Sequence, residues 1–449
     1  MARLHEAHLR HARYYLHLCI QGSHPRSVPL SWVRDAIENI RKAYDWTTQN
    51  FSNDDEIRDL FCRFPLAIGI GANRGFARSE LINWMKSGLA ESAFIAGNQR
   101  LKYQLEYSQN LGFLLYETGE LKDSLQHYMM ALKLAAKIHE RQAEGRILGM
   151  LGQVHSQLGD IDASIEFLKK SLLLMRKLDD PAGEAACLAM LGNNCLALGR
   201  NREAVQFFVE CWNRIGEVGN QQLEISALAG VGSAYDNSGE HLLAIQYYKE
   251  ALSRARDLGD KAREAQLSGA LGGAYLFSGD LQNALTLQKA SLNLAQQCED
   301  EISAARALSG LGACYFVLMQ YEEAQEYQEE ACKKSEALGD RLGEATALSA
   351  LSMTFHQIGM RSQATVTMQK ALGLFNEIGS PLAEPVRRML SEWRTLRNDA
   401  WGLNLSSKNP SAFIAQLWNS VRRDYLICYL RATSGVYQHF MTPEWKLDG

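Results

Sequence analysis

Proline is scarce in this chain, eight residues in 449, and few helices need break for lack of a backbone donor. No two cysteines stand in CxxC spacing. Cys19, Cys62, Cys187, Cys195, Cys211, Cys298, Cys314, Cys332 and Cys428 are scattered singly, which indicates neither a zinc site nor a redox motif and fits a reducing cytoplasm. No stretch reaches the ~18 uninterrupted apolar residues that span a membrane. The first residues carry Arg3, His5, Glu6, His8, Arg10 and His11, not the apolar run of a signal peptide. A formal net charge of −4 gives no reason to expect nucleic acid or anionic lipid as the partner. The motifs of the common chemistries are missing too: no GxxxxGK[ST] loop, no GxSxG, no HExxH and no placeable Cys/His nucleophile pair. The segment from Gly69 to Gly75 is glycine-rich but lacks the Lys-Ser/Thr of a phosphate loop, and reads as a plain loop. His5, His8 and His11 share one helix face that a metal could use, though a solvated or partner-facing N-terminus explains them without one. The expectation is a cytoplasmic protein with no catalytic residue, no cofactor and no metal.

What the chain does have is a period. Leu111-Gly112, Leu151-Gly152, Leu191-Gly192, Val231-Gly232, Leu271-Gly272, Leu311-Gly312 and Leu351-Ser352 recur every 40 residues. Twelve residues after each Gly, or after Ser352, stands Ser124, Ser164, Ala204, Ala244, Ala284, Ala324 or Ala364. Seven further on comes Ala131, Ser171, Cys211, Ala251, Ser291, Ala331 or Ala371. Antiparallel helices that approach closely need small side chains where they cross. Tyr235, Tyr275, Tyr315 and Phe355 are expected to fill the wider gap between one pair and the next. A turn glycine follows at Gly119, Gly159, Gly199, Gly239, Gly279 and Gly359, suited to the left-handed residue that ends a helix. Met319 replaces it once, and a distorted turn is expected there. Asp180, Asn220, Asp260, Asp300, Asp340 and Ser380 occupy one N-cap phase. Glu144, Glu184, Glu224, Glu264 and Glu344 lie four residues beyond that phase, where carboxylates favour the helix dipole and form a structural ladder rather than active sites.

This pattern resembles the tetratricopeptide repeat (TPR) signature, in the lengthened form found in kinesin light chains and Pins-type polarity adaptors. The resemblance covers roughly residues 101–380 and implies an all-α fold: a right-handed TPR superhelix, or α-solenoid, with helical N- and C-terminal flanks. The expected organisation is an N-terminal helical module over 1–100, seven TPR-type helix pairs over 101–380, and C-terminal capping helices and tail over 381–449.

The flanks differ in composition. Of eight Trp residues only Trp212 lies inside the array; Trp32, Trp46 and Trp84 precede it, and Trp393, Trp401, Trp418 and Trp445 follow. The helical stretches around Tyr14-Tyr15, Ile37–Trp46 and Trp84–Ala90 resemble the arm of bacterial STAND-type signalling ATPases, without their ATPase domain. After the array come a capping helix near 382–397, a polar linker over 404–410, an amphipathic helix over 412–432 and an aromatic end over 436–449.

In TPR superhelices the first helix of each pair lines the concave face, and this resemblance selects the candidate binding residues: Gln109, Arg146, Gln153, Asn193, Ser233, Asp236, Arg306, Phe316 and His356. Gly149, Ala189, Ala229, Gly269, Ser309 and Ser349 would floor a groove for a bulky helix or apolar peptide. The same small residues would equally serve tight helix packing. The Lys/Arg/Asn-rich clamp of chaperone-binding TPR proteins is not present. The implied function is a scaffold, adaptor or sensor arm that binds a protein or peptide. An alternative is a peptide-sensing regulator like the bacterial quorum-sensing TPR receptors. An enzyme would need converging titratable groups in the N-terminal module. Self-association through the flanks stays open.

Overall fold

A computed structural model describes residues 2–22, 30–50, 55–68, 76–380 and 382–395. The 69–75 loop, the 404–410 linker, the 412–432 stretch and the aromatic end lie outside the described residues. Among the described residues there are nineteen α-helices, one 3-10 turn and no strand. They fall into two compact units, one reaching Asn194 and the other beginning at Cys195.

The first unit opens with α1 (Ala2–Gly22), α2 (Leu30–Asn50), α3 (Asp55–Ile68) and α4 (Arg78–Glu91), which lead into α5 (Gly97–Glu117). Aromatic rings join these helices. Tyr44 on α2 stacks on Trp84 with ring centres 4.0 Å apart and on Phe61 at 5.2 Å. Phe64 meets Tyr44 edge-on at 6.4 Å. Arg41 lies over the Phe76 ring and is held there by two 2.7 Å bonds to Glu80. α5 belongs to this core. The Tyr107 hydroxyl donates to the Cys62 carbonyl, the Tyr103 hydroxyl to Asp59, and the absent side chain of Gly88 leaves room for the Tyr107 ring. The division expected near residue 100 thus falls inside a helix whose rings share the core of α3 and α4.

The pairs that follow in this unit are α5 with α6 (Leu121–Ile138) and α7 (Arg141–Gln157) with α8 (Ile161–Lys177), before α9 (Pro181–Ala197). At each crossing a ring or branched side chain covers a bare helix face. A Cβ on Gly112 would sit 2.9 Å from Tyr128, and one on Gly152 would sit 2.6 Å from Leu168. Ser124 and Ser164 are more than small. Each hydroxyl donates a 2.6 Å bond to the carbonyl of the opposing glycine, Gly112 or Gly152.

In the second unit α10 (Asn201–Val218) precedes four pairs: α11 (Gln221–Asn237) and α12 (His241–Leu258), α13 (Lys261–Ser278) and α14 (Leu281–Gln297), α15 (Glu301–Val317) and α16 (Tyr321–Leu338), α17 (Arg341–Gln357) and α18 (Arg361–Glu377). α19 (Ala383–Thr395) then lays Val386, Met389 and Leu390 on the core that holds Met353 and Phe375. The expected caps are in place. Across the two units, the side chains of Asp180, Asn220, Asp260, Asp300 and Asp340 each accept from the backbone N–H three residues on, at 2.9–3.1 Å.

The glutamate ladder is also an ion-pair ladder. Arg141, Arg176, Arg254, Arg256 and Arg341 face Glu144, Glu184, Glu224, Glu264 and Glu344 in turn. The turn at Met319 is not distorted. Met319 takes φ 62° and keeps the bonds of its glycine counterparts, its N–H to the Phe316 carbonyl and that of Gln320 to Tyr315. A second left-handed position ends the other helix of each pair: glycine at 219, 259, 339 and 379, but His139, Asp179 and Glu299 elsewhere. Those non-glycine residues each bear a backbone cost of about 1–2 kcal/mol.

Candidate functional site

A face free to meet a ligand is what remains once packing has taken its share of a helix. On α11 two directions are taken. A Cβ on Gly232 would meet Tyr248 of α12 at 2.8 Å, and one on Gly230 would meet Phe208 of α10 at 2.5 Å. Helical periodicity sets Asp236 four residues from Gly232 and Asn237 seven from Gly230, near those two directions, and Ser233, Asp236 and Asn237 are all buried. Ser233 is 1% exposed and its hydroxyl lies 3.1 Å from that of Tyr248, whose pKa is driven up by burial first and by Asp236 second. Asp236, also 1% exposed, places one carboxylate oxygen 2.7 Å from Nδ1 of His241. The His241 ring in turn stacks flat on Phe277, 4.8 Å between centres.

The other candidates on the second unit differ among themselves. Arg306 is half-buried; burial pulls its pKa below the ordinary arginine value, and Asp340 and Asp300 act against that shift. Phe316 is 2% exposed and belongs to the core, with Tyr321 edge-on at 5.6 Å. His356 stacks on Trp393 of α19 at 4.5 Å.

On the first unit Arg146 is exposed and Gln109 and Asn193 are half-buried. Gln153 is buried and donates to the Tyr116 hydroxyl at 3.1 Å. Asn194, which the repeat phase does not single out, is the bridging residue. It accepts from Ser156 at 2.9 Å and donates to Ser164 at 2.7 Å.

The small-residue floor divides in favour of packing. A Cβ on Gly149 or Gly269 would meet the hydroxyl of Ser171 or Ser291, at 3.4 and 3.1 Å, and Ser349 reaches the Met368 sulfur at 3.6 Å. These positions face the second helix of their own pair.

The histidine face at the N-terminus is engaged with aromatic rings. His5 and His8 lie 5.4 and 5.6 Å from Trp46, and His11 lies 4.7 Å from Tyr15. Among the described residues no group of three or more His, Cys, Asp or Glu is placed to hold a metal ion, and no helix is long and apolar enough to cross a membrane.

The sequence profile of the tetratricopeptide repeat matches residues 104–177, 146–211, 223–297 and 303–377, more than half of the chain. The chain belongs to the tetratricopeptide repeat family. No curated protein matches the sequence. Among solved structures, the chain resembles aspartyl phosphate phosphatase F from Bacillus subtilis, at 12% identity and a TM-score of 0.56, over 82% of this chain and 93% of that one. It also resembles the apo form of the quorum sensor NprR from B. thuringiensis, at 14% identity and a TM-score of 0.54, over 87% and 99% of the two chains. Apo RapI aligns at 13% identity and a TM-score of 0.54, over 62% and 99%. At these identities the likeness is one of fold.

Proposed function

We propose that this TPR protein is a non-catalytic scaffold that binds a protein or peptide along the first helices of its pairs. The observation that supports the reading is the repeat array itself, whose first helices keep Arg146 exposed and Gln109, Asn193 and Arg306 half-buried, while Ser233 and Asp236 on α11 are buried. Gln109, Arg146, Gln153, Asn193 and His356 extend the candidate face, and Phe316 supports it from the core. In this reading residues 101–380 are the binding array, and 1–100 and 381–449 flank it as the places for self-association. The partner is polypeptide, not nucleic acid or membrane, and the setting is the cytoplasm.

A second reading is a peptide-sensing regulator. It draws on the alignment with NprR, a quorum sensor, whose 87% coverage of this chain extends beyond the repeats. Selection of displayed random peptides on the full chain tests the shared core of both readings. Selected peptides should bind saturably and lose at least fivefold in affinity when Arg306→Ala and Gln109→Ala are introduced. Selection that yields no binder, or binders indifferent to these changes, would sink the proposal.

A further inference from the structure

One position of the repeat sits where neighbouring pairs meet. In α6, α8, α10 and α12 it is filled by Tyr128, Leu168, Phe208 and Tyr248, each laid over a bare glycine. In α14 and α16 the same position is Gln288 and Gln328, 2% and 0% exposed. The bare backbone is still there to be covered. A Cβ on Gly310 of α15 would fall 2.5 Å from Gln288, and one on Gly272 of α13 would fall 3.0 Å from it. An amide therefore stands between α13, α14 and α15 where earlier pairs place an apolar side chain. Gln328 is compensated, because its oxygen accepts from the Thr354 hydroxyl of the next pair at 2.6 Å. Gln288 is not. Its nitrogen donates to the Gly269 carbonyl at 3.0 Å, within its own pair, and its oxygen has no partner. A buried acceptor without a donor weakens the packing that holds it. The apolar contact beside it is also thin. Ala265, Ala295 and Ala304 form the small buried cluster there, whereas the α12–α13 joint has Leu252, Leu267 and Leu271. Phe277 and Phe316 join a larger core, but at the far ends of α13 and α15.

Each pair of a repeat array packs only on its neighbours, so the array opens first where a joint is weakest. We infer that the joint between α14 and α15 divides the second unit into two cooperative blocks, and that α15–α19 open there while α11–α14 stay folded. Phe208 and Tyr248 fasten the pairs before the joint. Behind it, the Thr354 bond to Gln328 and the shared core of Met353, Phe375, Val386 and Leu390 keep the later helices together. The inference concerns the free chain and does not rest on the peptide-binding reading. It has a consequence for any partner: one that touches α13 and α15 together would hold the joint shut, which links binding to the stability of the last pairs.

Native-state amide hydrogen exchange of the full chain, followed through low denaturant concentrations, tests this. The amides of α15, α16, α17 and α18 should share one opening, with protection at least tenfold lower than in α11, α12 and α13. Gln288→Met keeps the length of the side chain and removes the orphan acceptor. It should raise protection of the α15–α18 set at least tenfold and leave α11–α13 unchanged. Gln246→Met, on the exposed face of α12, should move neither set. A single opening common to α11 through α18 in the wild-type chain overturns the inference without any variant. So does a Gln288→Met chain whose α15–α18 amides exchange at the wild-type rate or faster, since the carboxamide would then fasten the joint through Gly269 rather than loosen it.

Discussion

Around Tyr44 the helices α2, α3 and α4 are joined by rings, with Trp84, Phe61 and Phe64 stacked or edge-on between them and Tyr107 reaching in from α5. In the pairs that follow, contact is made by bare backbone and by Ser and Ala, with one large side chain laid over crossing glycines such as Gly112, Gly152 and Gly232. Both are hydrophobic cores, but they fail differently. A ring-filled core tolerates no loss of volume, because removing a ring leaves a cavity. A crossing built on glycine tolerates no gain, because an added methyl meets a neighbour already in place. The repeat can therefore be copied along the chain with small residues at fixed phases, whereas the N-terminal core has to be filled once, by particular rings.

The largest effect that would break this comparison is expected at Phe64, fully buried in the ring core. Phe64→Ala should cost about 3–5 kcal/mol in chemical denaturation of the unit that contains it. Next is Gly230→Ala, where the new methyl would fall 2.5 Å from the Phe208 ring; a loss of about 2–3 kcal/mol is expected. Gly216, also helical, has nothing within 4 Å of its would-be Cβ, and Gly216→Ala should instead stabilise by about 0.5–1 kcal/mol. If both glycine substitutions moved stability the same way, the crossing explanation would fail. Glu299→Gly should add about 1 kcal/mol, because the exposed Glu299 holds φ 56° where four other repeats use glycine. Thermal melts of the single variant suffice.

The smallest effect concerns pH. Burial, then Lys86, holds the His127 pKa below its ordinary value of 6.5, so the neutral ring is the form the fold accepts. The stability tied to that ring is present above that value and lost as pH falls. The melting temperature should therefore decline from pH about 7.5 to about 5.5, and His127→Gln should flatten part of that slope.

Much of the fold was legible because a repeat writes the same physical need several times. The Gly112 series, the turn glycines and the caps at Asp180, Asn220, Asp260, Asp300 and Asp340 are each a local requirement repeated in register. Features that different residues can satisfy were harder to see. The second left-handed position is filled by glycine at 219, 259, 339 and 379 but by His139, Asp179 and Glu299 elsewhere, so no single letter marks it. Met319 was expected to distort its turn, yet the hydrogen bonds of the turn pull its backbone into the same conformation. The arginines that pair with the glutamate ladder come from three, eight or thirty residues away and fall on three different phases of the repeat.

The candidate face was the least legible feature. Helical phase selected Ser233 and Asp236 but could not show that both are buried. It could not show that Phe316 is sunk in the core, that His356 is stacked under Trp393, or that Gly149 and Gly269 serve the crossings. Asn237 and Asn194 were passed over because one asparagine near a turn looks like another. Only burial and the count of open valences separate them: Asn194 is satisfied on both sides, and Asn237 on neither.

Amide hydrogen exchange of the full chain tests the central claim most directly, with and without a peptide selected on it. Protection should appear on the first helices of the second unit's pairs, α11, α13 and α15. Protection confined to α1–α4, or spread evenly over both helices of every pair, would contradict the account.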